Sequence, residues 1–354
     1  MSRKALRILA GPTARRRLAE RGWDVEIFSL LLGAAGGPKW LVLSQLDRVL
    51  FGDFLARRKT PLNAYGTSIG SWRHACLAQA DPAAAIGRFE KAYIEQSYSD
   101  RPNRREVSSV GRGVLREALG DGVEEIPRHP KLITHIGTAR GRGPLAFESL
   151  PLQALGLGLA ILGNSVSRRG LEPWYQRVIF SSGPWPGAGL ALGDFATESA
   201  PHQAANVADV LMASASIPMV LEGVSSPAGS PPGYYWDGGV IDYHHDLTAY
   251  RGDGLVLFPH FFSHITPGWF DKRKPRRRPA AAALDKVVLL TATEEFVADL
   301  PGGSIPDRRD FKTYGTEERL ANWWRSVELC QALADEFLDV VSGSDPLGRV
   351  EAFG

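Results

Sequence analysis

The pentapeptide Gly66-Thr67-Ser68-Ile69-Gly70 constrains this chain more than any other segment. A G-x-S-x-G turn needs a strand before it and a helix after it, because the serine occupies a sharp, strained corner that presents its hydroxyl at the strand's end. Small residues two positions either side of Ser68 let that corner close without side-chain clashes, which makes Gly66 and Gly70 the elbow residues. Residues 62–65 then read as the strand and residues 69–79 as the helix, whose free N–H groups at its start face the serine. Glycine and serine are common in turns, so the pentapeptide is a hypothesis that its neighbours must decide.

Those neighbours describe a layered fold. Residues 25–32 (VEIFSLLL) are nearly continuous apolar sequence ending at Gly33, the pattern of a buried parallel strand. Residues 39–51 place Leu41, Leu43, Leu46 and Leu50 at helical spacing. Asp81-Pro82 supplies a cap and first-turn proline for a helix running to residue 96. Further strands are expected at residues 132–137, 177–181, 254–258 and 286–291, and one long helix at residues 317–341. Strands alternating with helices predict an α/β fold with a mainly parallel central sheet. No internal repeat is visible, and the one low-complexity segment is residues 272–283.

Composition excludes more than it selects. At 354 residues with 44% hydrophobic side chains, the chain can bury a large core as one elaborated domain or two modest ones. A formal net charge of +2 gives no global case for nucleic acid. Cys76 and Cys330 lie far apart with no C-x-x-C, which argues against a disulfide framework or structural zinc and suits a reducing, cytoplasmic setting. The basic start, residues 1–11, has too short and broken an apolar stretch for a secretory signal, and Arg15, Arg16 and Arg17 read as the solvated face of a short helix. Residues 150–167 are the longest charge-free stretch, but their strongly apolar part, residues 154–162, falls far short of the ~20 residues that span a bilayer. That stretch reads as a buried helix, or else as an apolar wall beside a lipid-binding cleft.

A reactive serine needs a base, an oxyanion hole and a cleft that excludes water. The loop Gly33-Ala34-Ala35-Gly36-Gly37-Pro38-Lys39 joins the first strand to the first helix. Bare Gly36 and Gly37 let backbone N–H groups approach an anion closely, and Pro38 suits a first helical position. A nucleotide-binding Walker loop is excluded, because Lys39 stands between Pro38 and Trp40. For the base, Asp237 in Tyr234-Tyr235-Trp236-Asp237-Gly238-Gly239-Val240 is the strongest candidate, with Gly238 and Gly239 allowing close backbone packing; a D-G hairpin turn is the plainer alternative. Partial burial would raise its pKa toward that of a useful base. His260 and His264 follow Asp237 in the Ser…Asp…His order of α/β-hydrolases, but only one convincing strand precedes residue 62, too few for that fold. His74 reads as packing, and His244 and His245 lie near enough to touch a substrate without a clear role.

Taken in this order, the glycine loop, Gly66-Thr67-Ser68-Ile69-Gly70 and Asp237-Gly238-Gly239 resemble the patatin-like phospholipase family. Met212-Ala213-Ser214-Ala215-Ser216-Ile217-Pro218 is similar to that family's helix-to-proline turn, and the likeness covers roughly residues 28–242. The resemblance implies a three-layer α/β/α domain over residues 25–260, an N-terminal extension of residues 1–24, and a C-terminal segment, residues 261–354, packed on the domain. It implies a Ser68–Asp237 dyad that cleaves lipid acyl esters through an acyl-enzyme, with Gly36 and Gly37 as oxyanion donors and Lys39 in support. No metal or organic cofactor is implied. Two departures stand out: Trp40 follows the basic residue where the family has glycine, and alanines begin the loop. Trp40 keeps open a second reading, a catalytically weak scaffold that binds acyl chains or membranes; a third is a soluble carboxylesterase in which His260 or His264 completes a Ser-Asp-His triad.

Residues 272–278 form a dense basic run just after Phe261, Phe262, Trp269 and Phe270. Aromatics beside cations suit a membrane interface, nucleic acid or a solvated loop. With low net charge and hydrolase motifs, the expectation is an acyl-ester substrate, no nucleic acid, and peripheral membrane contact through Trp269, Phe270, Lys272, Arg273, Lys274, Arg276, Arg277 and Arg278.

Overall fold

The computed structural model describes residues 4–185, 189–190 and 192–353, so residues 1–3 and 354 of the expected end segments lie outside the described residues. Its strands are β1 (Leu6–Ala10), β2 (Phe28–Gly33), β3 (Leu62–Thr67), β4 (Leu132–Gly141), β5 (Tyr175–Ser181), β6 (Thr197–Pro201), β7 (Val224–Ser225), β8 (Tyr234–Asp237), β9 (Leu255–Pro259), β10 (Val287–Ala292) and β11 (Val350–Ala352). Its helices are α1 (Pro12–Arg21), α2 (Ser44–Val49), α3 (Ile69–Leu77), α4 (Pro82–Ile94), α5 (Arg104–Leu119), α6 (Leu150–Val166), α7 (Val207–Ala215), α8 (Glu294–Ala298), α9 (Asp310–Thr313), α10 (Thr316–Leu329) and α11 (Gln331–Ser342).

One sheet runs in the order β11-β1-β10-β9-β2-β3-β4-β5-β6, with β8 also paired to β4 and β7 to β8. From β10 to β4 every pairing is parallel, whereas β1, β5 and β8 join antiparallel. The sheet is therefore mainly parallel and flanked by helices, as the alternation predicts. Successive residues of β8 point to opposite faces: Tyr235 enters the larger core, and Trp236 joins a smaller one with Leu145, Ala160 and Leu171 near α6.

Several local expectations are corrected. Two strands, not one, precede β3; β1 escaped notice because its five residues are flanked by basic sequence. With β1 and β2 both ahead of Ser68, the number of preceding strands does not exclude a histidine triad, and the positions of the histidines decide it. Residues 25–27 form a 3-10 turn, with Asp24 accepting from the Glu26 N–H, before β2 begins. The helix expected at 39–51 is a tightened 3-10 segment, Gly37–Leu43, followed by α2 and a wider π turn, Leu50–Phe54. The long C-terminal helix breaks at the buried Cys330 into α10 and α11. α5 was not anticipated; Asn103 caps it by accepting from the Glu106 N–H. Strands β1, β10 and β11, all outside residues 25–260, complete the same sheet.

The helix at the charge-free stretch is not buried in the expected sense. α6 turns Gln153, Gly156, Ala160 and Asn164 inward and leaves Leu150, Leu152, Leu155, Ile161, Leu162 and Val166 exposed. An ordinary amphipathic helix does the reverse. Its inward polar groups act as fasteners: Gln153 Oε1 accepts from the Met219 N–H at 3.0 Å, and Asn164 Nδ2 donates to Asp271 Oδ1 at 2.9 Å.

The sheet's register sets the position of the two chemical candidates. β3 runs parallel to β4 as far as Thr67 opposite Gly137. β4 continues, and β8 fills the vacated edge antiparallel, with Asp237 opposite Thr138. Two strands thus meet end to end against adjacent residues of β4, one delivering Ser68 and the other Asp237. Gly238 makes the junction possible, since a Cβ there would lie 2.1 Å from the Gly137 carbonyl oxygen.

Candidate active site

Ser68 adopts φ 52° and ψ −130°, a left-handed corner that side chains rarely occupy; it costs about 1–3 kcal/mol and persists only where the surroundings hold it. They do. Its N–H donates to Ser214 Oγ at 2.9 Å, and that hydroxyl donates to the Gly137 carbonyl at 2.8 Å. Cβ atoms on Gly66 and Gly70 would lie 2.8 Å from the Gly70 carbonyl carbon and 2.1 Å from the Gly33 oxygen, so both elbow glycines are required by close backbone approach.

The Ser68 hydroxyl donates to Asp237 Oδ2 at 2.9 Å, while Oδ1 accepts from the Gly239 N–H at 2.7 Å. Burial pushes the Asp237 carboxyl above its ordinary value, opposed by Arg308 and by the bonds from Gly239 and Ser68. In the glycine loop the Ala35 N–H is already spent on the Tyr243 carbonyl at 2.8 Å. Among the described residues the N–H groups of Gly36 and Gly37 have no partner, and both glycines border cavities that reach Ser68. Gly37 has φ +58°, and a Cβ on Gly36 would lie 2.5 Å from the Phe261 ring. Trp40 does not intrude on the loop: it is fully buried and stacks on Phe89 at 4.2 Å between ring centres. The departure at this position is thus accommodated by the core.

The histidines fall elsewhere. His260 is bound to its own neighbour, with Nδ1 accepting from the Phe262 N–H at 2.9 Å, and burial holds its pKa down to about 3. His264 stacks on Phe262 and borders a separate cavity. Neither lines the cavities at Ser68, so the triad alternative has no support in this geometry. His74 is buried and kept neutral by desolvation, as packing predicts. His244 and His245 are buried rather than substrate-facing, and His245 Nε2 donates to the Gly33 carbonyl at 2.9 Å, steadying the strand that leads into the glycine loop.

Beneath the pair, Arg177 and Asp242 form a fully buried ion pair at 2.6 Å. Tyr65 donates to Asp242 Oδ2 at 2.8 Å, and Thr67 donates to the Asp242 carbonyl at 2.7 Å, tying β3 to the turn that follows Asp237. Lys39 is turned toward Asp307, its ion-pair partner; burial lowers the Lys39 pKa, and despite burial Asp307 is held down to about 2 by Lys39 and Arg309.

The basic run divides. Lys272 lies 4.2 Å from the Tyr243 ring centre and borders the cavity at Ser68. Lys274 Nζ and Arg277 donate to the Asn164 carbonyl at 2.7 and 2.6 Å, closing the C-terminal end of α6. Arg273, Arg276 and Arg278 stay exposed. Sequence reading passed over Ser214, Arg177, Asp242 and Arg308. Ser214 falls in the 212–218 turn, Arg177 opens the strand expected at 177–181 and Asp242 ends the stretch of family likeness, but none of the four belongs to a catalytic motif.

An elbow serine against a buried carboxylate at the end of a parallel strand places the molecule among α/β proteins built around such a corner. The family model for patatin-like phospholipases matches residues 46–244, more than half the chain, and the chain belongs to that family. The match begins after the glycine loop, so that loop's role rests on its geometry. Among solved structures the chain is similar to VipD from Legionella pneumophila, at 12% identity and TM-score 0.33 over 74% of this chain and 54% of that one. It is also similar to human GIVD cytosolic phospholipase A2, at 12% identity and TM-score 0.35 over 88% and 58%. The chain therefore spans little more than half the length of either. No curated protein matches it.

Proposed function

We propose that this protein hydrolyses acyl esters of lipids, with Ser68 as nucleophile and Asp237 as its base. The observation that carries the reading is the 2.9 Å hydrogen bond from Ser68 Oγ to a buried carboxylate at the border of a cavity. Asp237 takes the hydroxyl proton as Oγ attacks the ester carbonyl. The Gly36 and Gly37 N–H groups and the start of α3 stabilise the oxyanion. Asp237 returns the proton to the leaving alcohol, and water repeats the sequence to release the fatty acid. Family membership supports the lipid acyl ester as substrate. A fluorophosphonate probe and a lipid acyl ester test this directly. Wild type is expected to label and turn over, and Ser68→Ala to do neither; labelling that persists in Ser68→Ala would remove the reading.

The same reading includes peripheral contact with a lipid surface, carried by the outer face of α6. No helix of the described residues is long and apolar enough to cross a membrane. Leu155 and Leu162 are 54% and 65% exposed, Leu157 of the same helix borders the Ser68 cavity, and Trp269 and Val220 add exposed apolar surface at the cavity walls. Arg273, Arg276 and Arg278 follow at the end of α6, where each would add about 1 kcal/mol of attraction to anionic lipid. Burying two leucines is worth about 3–6 kcal/mol, so Leu155→Asp with Leu162→Asp is expected to weaken binding to phosphatidylcholine–phosphatidylserine vesicles more than tenfold in a sedimentation assay. Equal binding would rule out this face. A lipid-free dimer lost in the double variant would assign it to a second copy of the chain.

A further inference from the structure

We propose that Gly111 sets the length of acyl chain this protein accepts, by leaving one wall of the apolar cavity at Ser68 without a side chain. It rests on the reading of Ser68 as nucleophile, and adds what family membership leaves open, how long a chain is taken.

The apolar cavity that reaches Ser68 measures about 250 Å³. Val107, Gly111 and Val114 of α5 border it, at the four- and three-residue spacing that aligns one helical face. Two valines thus flank a bare position. The aromatic walls of the same cavity are held in place. Phe311 packs on Tyr98 at 5.3 Å and on Trp323 at 5.2 Å between ring centres, and the Arg319 guanidinium lies 4.5 Å over it. Trp72 is fastened by its indole N–H, which donates to the Leu211 carbonyl at 2.8 Å. With those rings fixed, the room for a carbon chain is decided by what α5 leaves open.

Gly111 is not explained by its backbone or by close packing. It lies in the middle of a 16-residue helix, where glycine is less favourable than alanine because it gives up more chain freedom. Its φ is not in the left-handed region. A Cβ there would meet Met212 Cε at 3.5 Å and Leu221 Cδ2 at 3.9 Å, ordinary contact distances. Gly156 in α6 differs, since its Cβ would lie 2.5 Å from Leu145 Cγ. Gly113, two residues beyond Gly111, does not border the cavity, and a Cβ there would meet nothing within 4 Å. What the missing side chain at 111 leaves is cavity.

A dry apolar cavity of about 150 Å³ holds a benzene ring, so in proportion about 250 Å³ has room for roughly ten carbons. A leucine side chain at 111 would take much of that space for itself.

The test reads turnover and chain binding separately. p-Nitrophenyl butyrate and decanoate are hydrolysed by wild type, Gly111→Ala, Gly111→Leu and Gly113→Leu, each first checked for a cooperative thermal melt. The quantity compared is kcat/KM for decanoate divided by that for butyrate. Each buried methylene is worth about fourfold, so Gly111→Ala is expected to lower this ratio about fourfold and Gly111→Leu more than tenfold. Gly113→Leu should keep the wild-type ratio. Gly111→Ala should also melt above wild type, which separates its loss from damage to the fold. A ratio within twofold of wild type in both Gly111 variants overturns the proposal even where turnover depends on Ser68. An equal fall in Gly113→Leu overturns it too, because the effect would then belong to the helix and not to the cavity. Decanoic and butyric acids are titrated calorimetrically into the same proteins. If none of them turns over ester, the affinity ratio decides alone: a fall confined to the Gly111 variants supports the chain site and removes the hydrolase, and an unchanged ratio overturns both.

Discussion

Asp237→Asn is expected to lower acyl-ester turnover by between about 10²- and 10⁴-fold, the range that a positioned base contributes, while making the folded protein more stable at neutral pH. Asparagine keeps the carbonyl oxygen that accepts from Gly239 but cannot take the Ser68 proton. The stability gain follows from the sign of the carboxyl's shift. Burial raises the Asp237 pKa above its unfolded value, so its favourable linkage is complete below the unfolded pKa and is lost as pH rises through the folded one. At neutral pH the wild type therefore carries the cost of a buried carboxylate that the variant lacks. Steady-state kinetics and thermal melts of the two proteins check both halves, and a variant both slower and less stable would contradict the account. The same shift places the acid limb of the wild-type pH–rate profile above that of an ordinary carboxylate.

Arg177→Met is expected to cost about 3–5 kcal/mol in denaturant unfolding, because it leaves Asp242 buried without its principal counter-charge. Arg168 remains, but at 3.9 Å and already engaged with Asp194 and Asp271. Pairing the change with Asp242→Leu should recover part of the loss, because an apolar pair of similar volume avoids the stranded charge. Here the pH sign is opposite to that at Asp237. Although burial pushes Asp242 up, Arg177 and Arg168 hold it below the usual carboxylate range. Its stabilisation is thus present above the unfolded pKa and is lost as pH falls through the folded one. A single Arg177→Met variant as stable as wild type would show that Arg168 alone compensates Asp242.

What could be read in the sequence was what local chain geometry controls. Gly66, Gly70 and Gly238 mark places where backbones touch, Gly36 one where the Phe261 ring closes in and Gly37 one of left-handed φ, and a missing side chain is visible in a sequence. β2 was visible because a strand covered on both faces becomes a run of apolar residues. By contrast, the meeting of β3 and β8 against one strand depends on register, which neither segment encodes alone. α6 misled for a related reason: its hydrophobicity was plain, but which residues turn inward is set by Gly156 and Ala160 fitting closely and by Gln153 and Asn164 finding partners on distant loops.

The end-to-end meeting of β3 and β8 also gives the protein a safety catch. Ser68 and Asp237 are 169 positions apart and become neighbours only once β8 has docked beside β4. Under the proposed chemistry, a nascent chain emerging from synthesis carries a serine with no base until most of the sheet is assembled. The same holds for one whose β8 edge has locally come away. Activity against lipids would then report a finished fold, and the cell's own membranes would be spared by chains still being made.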